Sequence, residues 1–337
     1  MTRYLVRRIL ATPLLLLGVA TVAFFLSNVV RGDPLASILP ERQMDNPAAV
    51  AAAKARWGLD RPLPERYVVY LGNLAEGDLG TSFRTKRPVS RDLLERLPAT
   101  LELVVAAMLF GSVVGTGLGV VAAHFRNGVI DHGARFIALI GSSVPVFWSG
   151  LLALYLFSVE LSWAPGPGRL DPALPRPDGP TGFYTIDALL AGNWAVFSSA
   201  LAHLALPAIM LGWAVLGIIS RIVRASMLDV LGQDYILTAR SKGASTVRIL
   251  VRHALRNAMV PALTIIGFSF AYLITGAILT ETVFSWPGIG SYAVDAARSL
   301  DHPAIIGVTL IGALAFLIAN LLTDIAYVFA NPRIHLD

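Results

Sequence analysis

The sequence predicts an all-α protein embedded in a membrane, with six spanning helices. Three observations predict it. Hydrophobic residues make up 55% of the 337 and charged residues 15%, where a soluble domain carries about 25% charged residues. The mean hydropathy is +0.65. Apolar stretches recur at about the 20 residues that a helix needs to cross a bilayer. Such a chain cannot cover its surface around one aqueous core, so lipid is its solvent.

The six stretches run over about 9–30, 99–124, 135–160, 200–219, 258–284 and 303–329. The first follows Arg3, Arg7 and Arg8, a basic head that a secretory signal peptide also carries. Its apolar run exceeds the about 7–15 residues of a signal-peptide core, so it reads as an uncleaved span. This divides the chain into 1–30 (N-terminus and first helix), 31–98 (an extracytoplasmic region) and 99–337 (a five-helix core). The core includes a basic cytoplasmic loop at about 221–257.

Orientation follows from charge. Arg3, Arg7 and Arg8, then Arg126 and Arg135, then Arg221, Arg224, Arg240, Lys242, Arg248, Arg252 and Arg256, and finally Arg333 all fall on one side if six spans alternate. Short loops rich in Lys and Arg stay cytoplasmic, so both termini are expected inside. Region 31–98 is also basic and falls outside, but loops longer than about 60 residues cross largely regardless of charge. The net charge of +5 is thus a matter of topology. Basic loops without interleaved aromatics do not point to nucleic acid.

The basic loop is the most informative segment. From Asp234 through Tyr235, Thr238 and Ala239 it reads as a helix, and Gly243 permits a turn or C-cap. A second amphipathic helix follows Ser245 and Arg248, with Ile249, Val251 and Leu255 among basic residues. Two short helices at a glycine turn form a rigid knob suited to transmitting force. The alternative is a basic loop that only fixes topology or binds headgroups.

Asp234, Tyr235, Thr238, Ala239, Lys242 and Gly243, followed by Arg252-His253-Ala254-Leu255-Arg256-Asn257 and Pro261, closely resemble the EAA loop of ABC-importer permeases in its dipeptide/oligopeptide form. Leu237 stands where the general motif has Glu. The resemblance extends over nearly the whole chain. It takes in Gly32-Asp33-Pro34, Gly58-Leu59-Asp60-Arg61-Pro62, Gly77-Asp78-Leu79-Gly80-Thr81-Ser82, Leu97-Pro98-Ala99-Thr100-Leu101-Glu102, Ser143-Val144-Pro145, Glu281 to Gly290, and Asn331-Pro332-Arg333. Asn331 stands where the family usually has Asp.

The resemblance implies the six-helix type I ABC importer permease fold in a bacterial inner membrane. It implies a coupling role for Asp234, Tyr235, Thr238, Ala239, Lys242, Gly243, Ser245 and Arg248, which would dock on an ATPase. It also implies a second homologous permease, two ATP-binding subunits that use ATP and Mg, and an extracytoplasmic peptide-binding protein. The cargo would be di- or oligopeptides moved by alternating access. Nickel, glutathione or an opine remain alternative cargoes for the same machine.

Three residues are candidates for a gate or path. Pro145 lies inside the third span and should kink it or open its hydrogen bonds; it either lines a path or serves packing. Glu281 and Asp324 are acidic groups at or near membrane depth, where ionisable residues are costly and face a partner or water. They either form such contacts or snorkel to the interface. Glu102 is a weaker candidate of the same kind. Gly111, Gly115 and Gly119 recur at the spacing that lets helices pack closely in lipid. Tyr67, Val68, Tyr70, Leu71 and Leu74 suggest a short amphipathic helix on the bilayer or over a pore mouth.

No G-x-x-x-x-G-K-[ST] phosphate loop occurs, so the chain is not expected to hydrolyse ATP itself. No H-E-x-x-H or paired histidine motif suggests a bound metal. The absence of cysteine excludes disulfides, thiolate metal sites and a cysteine nucleophile. A proton-coupled transporter would show more buried charges and an internal repeat.

Overall fold

A computed structural model describes residues 2–29, 35, 39, 41–57 and 60–330. Among the described residues the regular structure is helical. The helices in chain order are α1 (Thr2–Val29), α2 (Glu41–Met44), α3 (Pro47–Trp57), α4 (Leu63–Ala75), α5 (Val89–His124), α6 (Val129–Ser143), α7 (Val146–Leu154), α8 (Tyr184–Leu190), α9 (Trp194–Leu231), α10 (Asp234–Ser241), α11 (Thr246–Arg248), α12 (Arg256–Val283), α13 (Ile289–Arg298) and α14 (His302–Ala330). Wider π-turns at Tyr155–Glu160 and Ile249–Leu255 continue α7 and join α11 to α12.

Among the described residues, each of the six expected apolar segments is mostly helical. Val89–His124, Trp194–Leu231, Thr246–Ile274 and His302–Leu321 are long and apolar enough to cross a membrane. The third expected span is broken, with Val129–Ser143 and Val146–Glu160 bent by 104°. In α1 the apolar run is shorter, Leu10–Leu26.

Two boundaries differ from expectation. The second span begins at Val89, not near Ala99, and carries Pro98 inside it. A proline disfavours helix in the residue before it, but Val89 and Leu93 are buried, and that burial holds the extra turns. The fourth span continues to Leu231, so Arg221 and Arg224 sit on a helix where a loop was expected.

The chain divides into two compact units, one of 99–287 with 316–337, the other of 2–98 with 288–315. In the first unit, Leu103, Val104 and Ala107 of α5 and Leu211, Val215, Ile219 and Val223 of α9 share one buried core with Leu273 and Ala277 of α12. The glycine stripe explains how α5 and α9 approach. A Cβ on Gly111 would lie 2.7 Å from the Gly212 carbonyl, on Gly115 2.9 Å from the Leu216 carbonyl, and on Gly119 2.7 Å from Val223 Cβ. Gly117 points into open space. Gly111→Leu is therefore expected to cost about 1–3 kcal/mol by overpacking and to lower the thermal midpoint in detergent. Gly117→Leu should leave the midpoint in place.

In the second unit, Ala20, Ala23 and Phe24 of α1 pack with Ile306 and Leu310 of α14, and Tyr67, Tyr70 and Leu74 of α4 join them. Tyr70 stacks on Phe24 with ring centres 5.2 Å apart, and the Tyr67 hydroxyl is 2.8 Å from Thr21 Oγ1. The expected amphipathic helix thus exists as α4, with its aromatic face packed inward and Val68 exposed. A polar network fastens the segment before α5. Ser82 Oγ donates to Asp301 Oδ2 at 2.5 Å, and Thr85 Oγ1 to Asp92 Oδ2 at 2.6 Å. The Tyr292 hydroxyl donates to Asp92 Oδ2 at 3.2 Å. Burial, and then the Asp92 charge, push this hydroxyl well above the ordinary tyrosine range, so it remains a donor.

Candidate functional site

Two places in the first unit concentrate polar function. One is the segment from α10 to the start of α12. Asp234 opens α10 and places a carboxylate in its first turn, where the helix dipole favours it. Ile236 is fully buried and belongs to the same core as Ile249, Ala254 and Ala258. Around that anchor Asp234, Tyr235, Leu237, Thr238, Lys242, Gly243, Ser245 and Arg248 are exposed, while Ala239 is half-buried.

The end of α10 is a Schellman motif. Gly243 adopts φ +78°. Its N–H donates to the Arg240 carbonyl at 2.9 Å, and the Ala244 N–H donates to the Ala239 carbonyl at 3.1 Å. Ser245 then starts the next helix, and its carbonyl accepts from the Ile249 N–H at 2.9 Å. Asn257 Nδ2 donates to the Tyr235 hydroxyl at 2.7 Å, tying α10 to the first turn of α12.

The helix that follows Gly243 is not the separate short one expected. From Thr246 the chain runs through α11 and the π-turn directly into α12. Pro261 does not end it, and lies inside α12. The knob is therefore one short helix clamped onto the end of a long one that is helical without a break from Thr246 to Val283. Tyr235→Phe removes the bond from Asn257 and should loosen α10 by about 0.5–1.5 kcal/mol. The check is a modest rise in the rate of tryptic cleavage after Arg240 and Lys242.

The second place is at the N-terminal part of α5 and the C-terminal end of α12. Glu281 is fully buried, and Thr100 Oγ1 donates to its Oε1 at 2.6 Å. Trp286 is also fully buried. Its Nε1 donates to the Ala99 carbonyl and its backbone N–H to the Glu281 carbonyl, both at 2.8 Å.

Beside them Glu102 forms a buried ion pair with Arg169. Arg169 Nε and Nη2 donate to Glu102 Oε2 at 2.9 and 2.5 Å, and Nη2 also reaches the Gly182 carbonyl at 2.7 Å. Thr185 donates to Glu102 Oε1 from its backbone N–H at 2.9 Å and its hydroxyl at 2.6 Å. The guanidinium lies 3.8 Å over the Tyr184 ring and 5.7 Å from that of Trp286. A buried charge needs such complete pairing. The arrangement pins the irregular, Pro-rich 161–183 segment to the ends of the spans.

Pro145 sits at the 104° break, where Val144 and Pro145 leave helical geometry with ψ of 132° and 128°. The kink expected of it is present. A cavity of about 220 Å³ opens there, with Trp148 and Trp213 among its walls. Asp324 lies on α14, and its side chain falls outside the described residues, as do Asn331 and the rest of the C-terminal motif. Reasoning from sequence missed Arg169 and the pair between Asp131 and Arg224, whose Nε and Nη2 donate to Asp131 at 2.7 and 2.6 Å. Arg169 carried only a weak signal, one of two cations, with Arg176, in a Pro-rich loop that also holds Asp171, Asp178 and Asp187. The Asp131–Arg224 pair spans elements far apart in sequence, which no local pattern reveals.

The comparisons with known proteins agree with this architecture. The family described as "Binding-protein-dependent transport system inner membrane component" matches residues 115–336, and its N-terminal companion, "Binding-prot-dependent transport system membrane comp, N-term", matches 1–104. The chain is 46% identical over 317 residues to the di/tripeptide transport system permease protein DppB of Pseudomonas aeruginosa, covering 94% of each chain. It is 43% identical over 321 residues to the probable D,D-dipeptide transport system permease protein DdpB of Escherichia coli, covering 95% of this chain and 94% of the relative. It is 41% identical over 336 residues to the dipeptide transport system permease protein DppB of Escherichia coli, covering 99% of each. A multi-pass helical chain matched along almost its whole length in this way belongs to the inner-membrane permease family of binding-protein-dependent ABC importers.

Proposed function

We propose that this chain forms half of the translocation path for di- or oligopeptides in an ATP-driven importer. The cargo reading is supported by relatives named for dipeptide and di/tripeptide transport at 41% and 46% identity. The single observation that carries the mechanism is the clamped knob: α10, anchored by Ile236, closed by Gly243, and continuous through Thr246 with α12.

In this reading a second homologous permease completes the path, and an extracytoplasmic peptide-binding protein delivers cargo. Two ATP-binding subunits, which use ATP and Mg, dock on Asp234, Tyr235, Thr238, Ala239, Lys242, Gly243, Ser245 and Arg248. Closure of the ATPase pair on ATP pushes α10. Because α10 is bonded to α12 through Tyr235 and Asn257, the push reaches the far end of that helix, where Glu281 and Trp286 contact α5. That end, with Pro145 and Asp324, is the proposed gate or path. Both termini lie in the cytoplasm, and 31–98 lies outside.

The test is uptake of a labelled dipeptide into proteoliposomes holding the permease pair, with the ATPases and binding protein supplied. Uptake that requires ATP and is competed by unlabelled di- and tripeptides is the expected result. Uptake driven by a proton gradient without ATP would overturn the mechanism. Competition by nickel or glutathione but not by peptides would overturn the cargo.

A further inference from the structure

We infer that the first unit carries a binding site for the phosphate headgroup of an anionic phospholipid, set between the ends of α5 and α9 and the α10–α11 turn. A cavity of about 480 Å³ lies there, and His124, Arg126, Arg240 and Thr246 supply its polar wall. Leu228, Leu231 and Leu250 form an apolar wall beside them. No Asp or Glu lines the cavity. Among the described residues, neither Arg126 nor Arg240 has an acidic partner, whereas the nearby cation Arg224 is paired with Asp131.

Three features favour a lipid as the ligand. The cavity joins cationic groups to apolar surface, which matches a headgroup with the start of its acyl chains. It is built at the ends of two long apolar helices, the depth at which a headgroup sits. Basic pockets between spanning helices on the cytoplasmic side attract anionic headgroups, with each cation worth about 1 kcal/mol near the surface. The side assignment rests on the orientation given in the proposed function.

The site also has a structural consequence. Arg126 lies on the turn between α5 and α6, held where the Asn127 N–H donates to Asp131 Oδ2 at 2.9 Å, and Arg240 lies on α10. One phosphate group held by both would bridge that turn to the proposed coupling helix.

The experiment uses the intact complex, purified in mild detergent, delipidated, and titrated with phosphatidylglycerol, cardiolipin, phosphatidylcholine or inorganic phosphate under native mass spectrometry. The wild type should retain the two anionic lipids over phosphatidylcholine. The double variant His124→Gln/Arg126→Gln should bind them about fivefold or more weakly. Arg176→Gln, a loss of charge outside the cavity, should bind as the wild type does.

Equal retention of anionic lipid by the double variant would overturn the site. Binding of free inorganic phosphate with no preference among lipids would overturn the lipid assignment. Loss of the ATP-binding subunits from the double variant with lipid binding intact would mean that the cations serve a protein contact, which also overturns it. The same spectra read subunit composition independently. Absence of any ATP-binding subunit from the wild-type complex would count against the proposed function, whatever the lipid result.

Discussion

Gly243→Val is expected to reduce ATP-driven uptake by about tenfold or more while the protein still inserts and folds. Gly243 holds φ +78°, a region that a β-branched residue enters only at a cost of about 1–3 kcal/mol. The cost is one of backbone and not of crowding, since a Cβ there meets nothing within 4 Å. Relief of the strain opens the Schellman bonds from Gly243 to Arg240 and from Ala244 to Ala239, and α10 loses its fixed angle to α12. Gly243→Asn separates conformation from bulk, because Asn visits the left-handed region readily. It should keep most of the uptake. Measuring uptake alongside stimulation of ATP hydrolysis by the binding protein distinguishes uncoupling, in which hydrolysis persists without transport, from failure to assemble.

Arg169→Met should destabilise the protein by about 3–5 kcal/mol, because it strands Glu102 as a buried charge without its ion partner. Glu102 is 4% exposed and Arg169 7%, so water cannot replace what is lost. The double variant Glu102→Gln/Arg169→Met removes both charges and should recover a large part of the loss. With the single variant Glu102→Gln alongside, a double-mutant cycle reads the coupling energy of the pair. Thermal unfolding in detergent measures all three variants, and protease sensitivity of the 161–183 segment reports the local effect. Equal destabilisation by the single and double variants would show that the residues act through packing and not through their charges.

The parts of this protein that were legible in sequence are those where one physical signal dominates. Length and apolarity located the spanning helices, since lipid forces the backbone to satisfy its own hydrogen bonds. The four-residue repeat of Gly111, Gly115 and Gly119 foretold a close helix contact, and the structure supplies α9 as the partner. Gly243 foretold a turn, and Pro145 a break.

What was not legible depends on tertiary contact. Helix α5 begins at Val89 because Val89 and Leu93 are buried, which overrides the local effect of Pro98. The knob continues into α12 because neither the π-turn nor Pro261 ends the helix. Glu102 ranked below Glu281 in sequence, since its partner Arg169 lies 67 residues away in a segment with no periodic pattern.

The contact of α10 with an ATP-binding subunit is the central claim, and the chain's lack of cysteine makes it directly measurable. A Thr238→Cys variant carries one thiol on the exposed face of α10. After the complex is treated with a short thiol-reactive photo-crosslinker, the account predicts an adduct between this chain and an ATP-binding subunit, with a yield that changes when ATP is added. An adduct only with lipid or with another membrane chain, in a complex that still imports peptide, would contradict it.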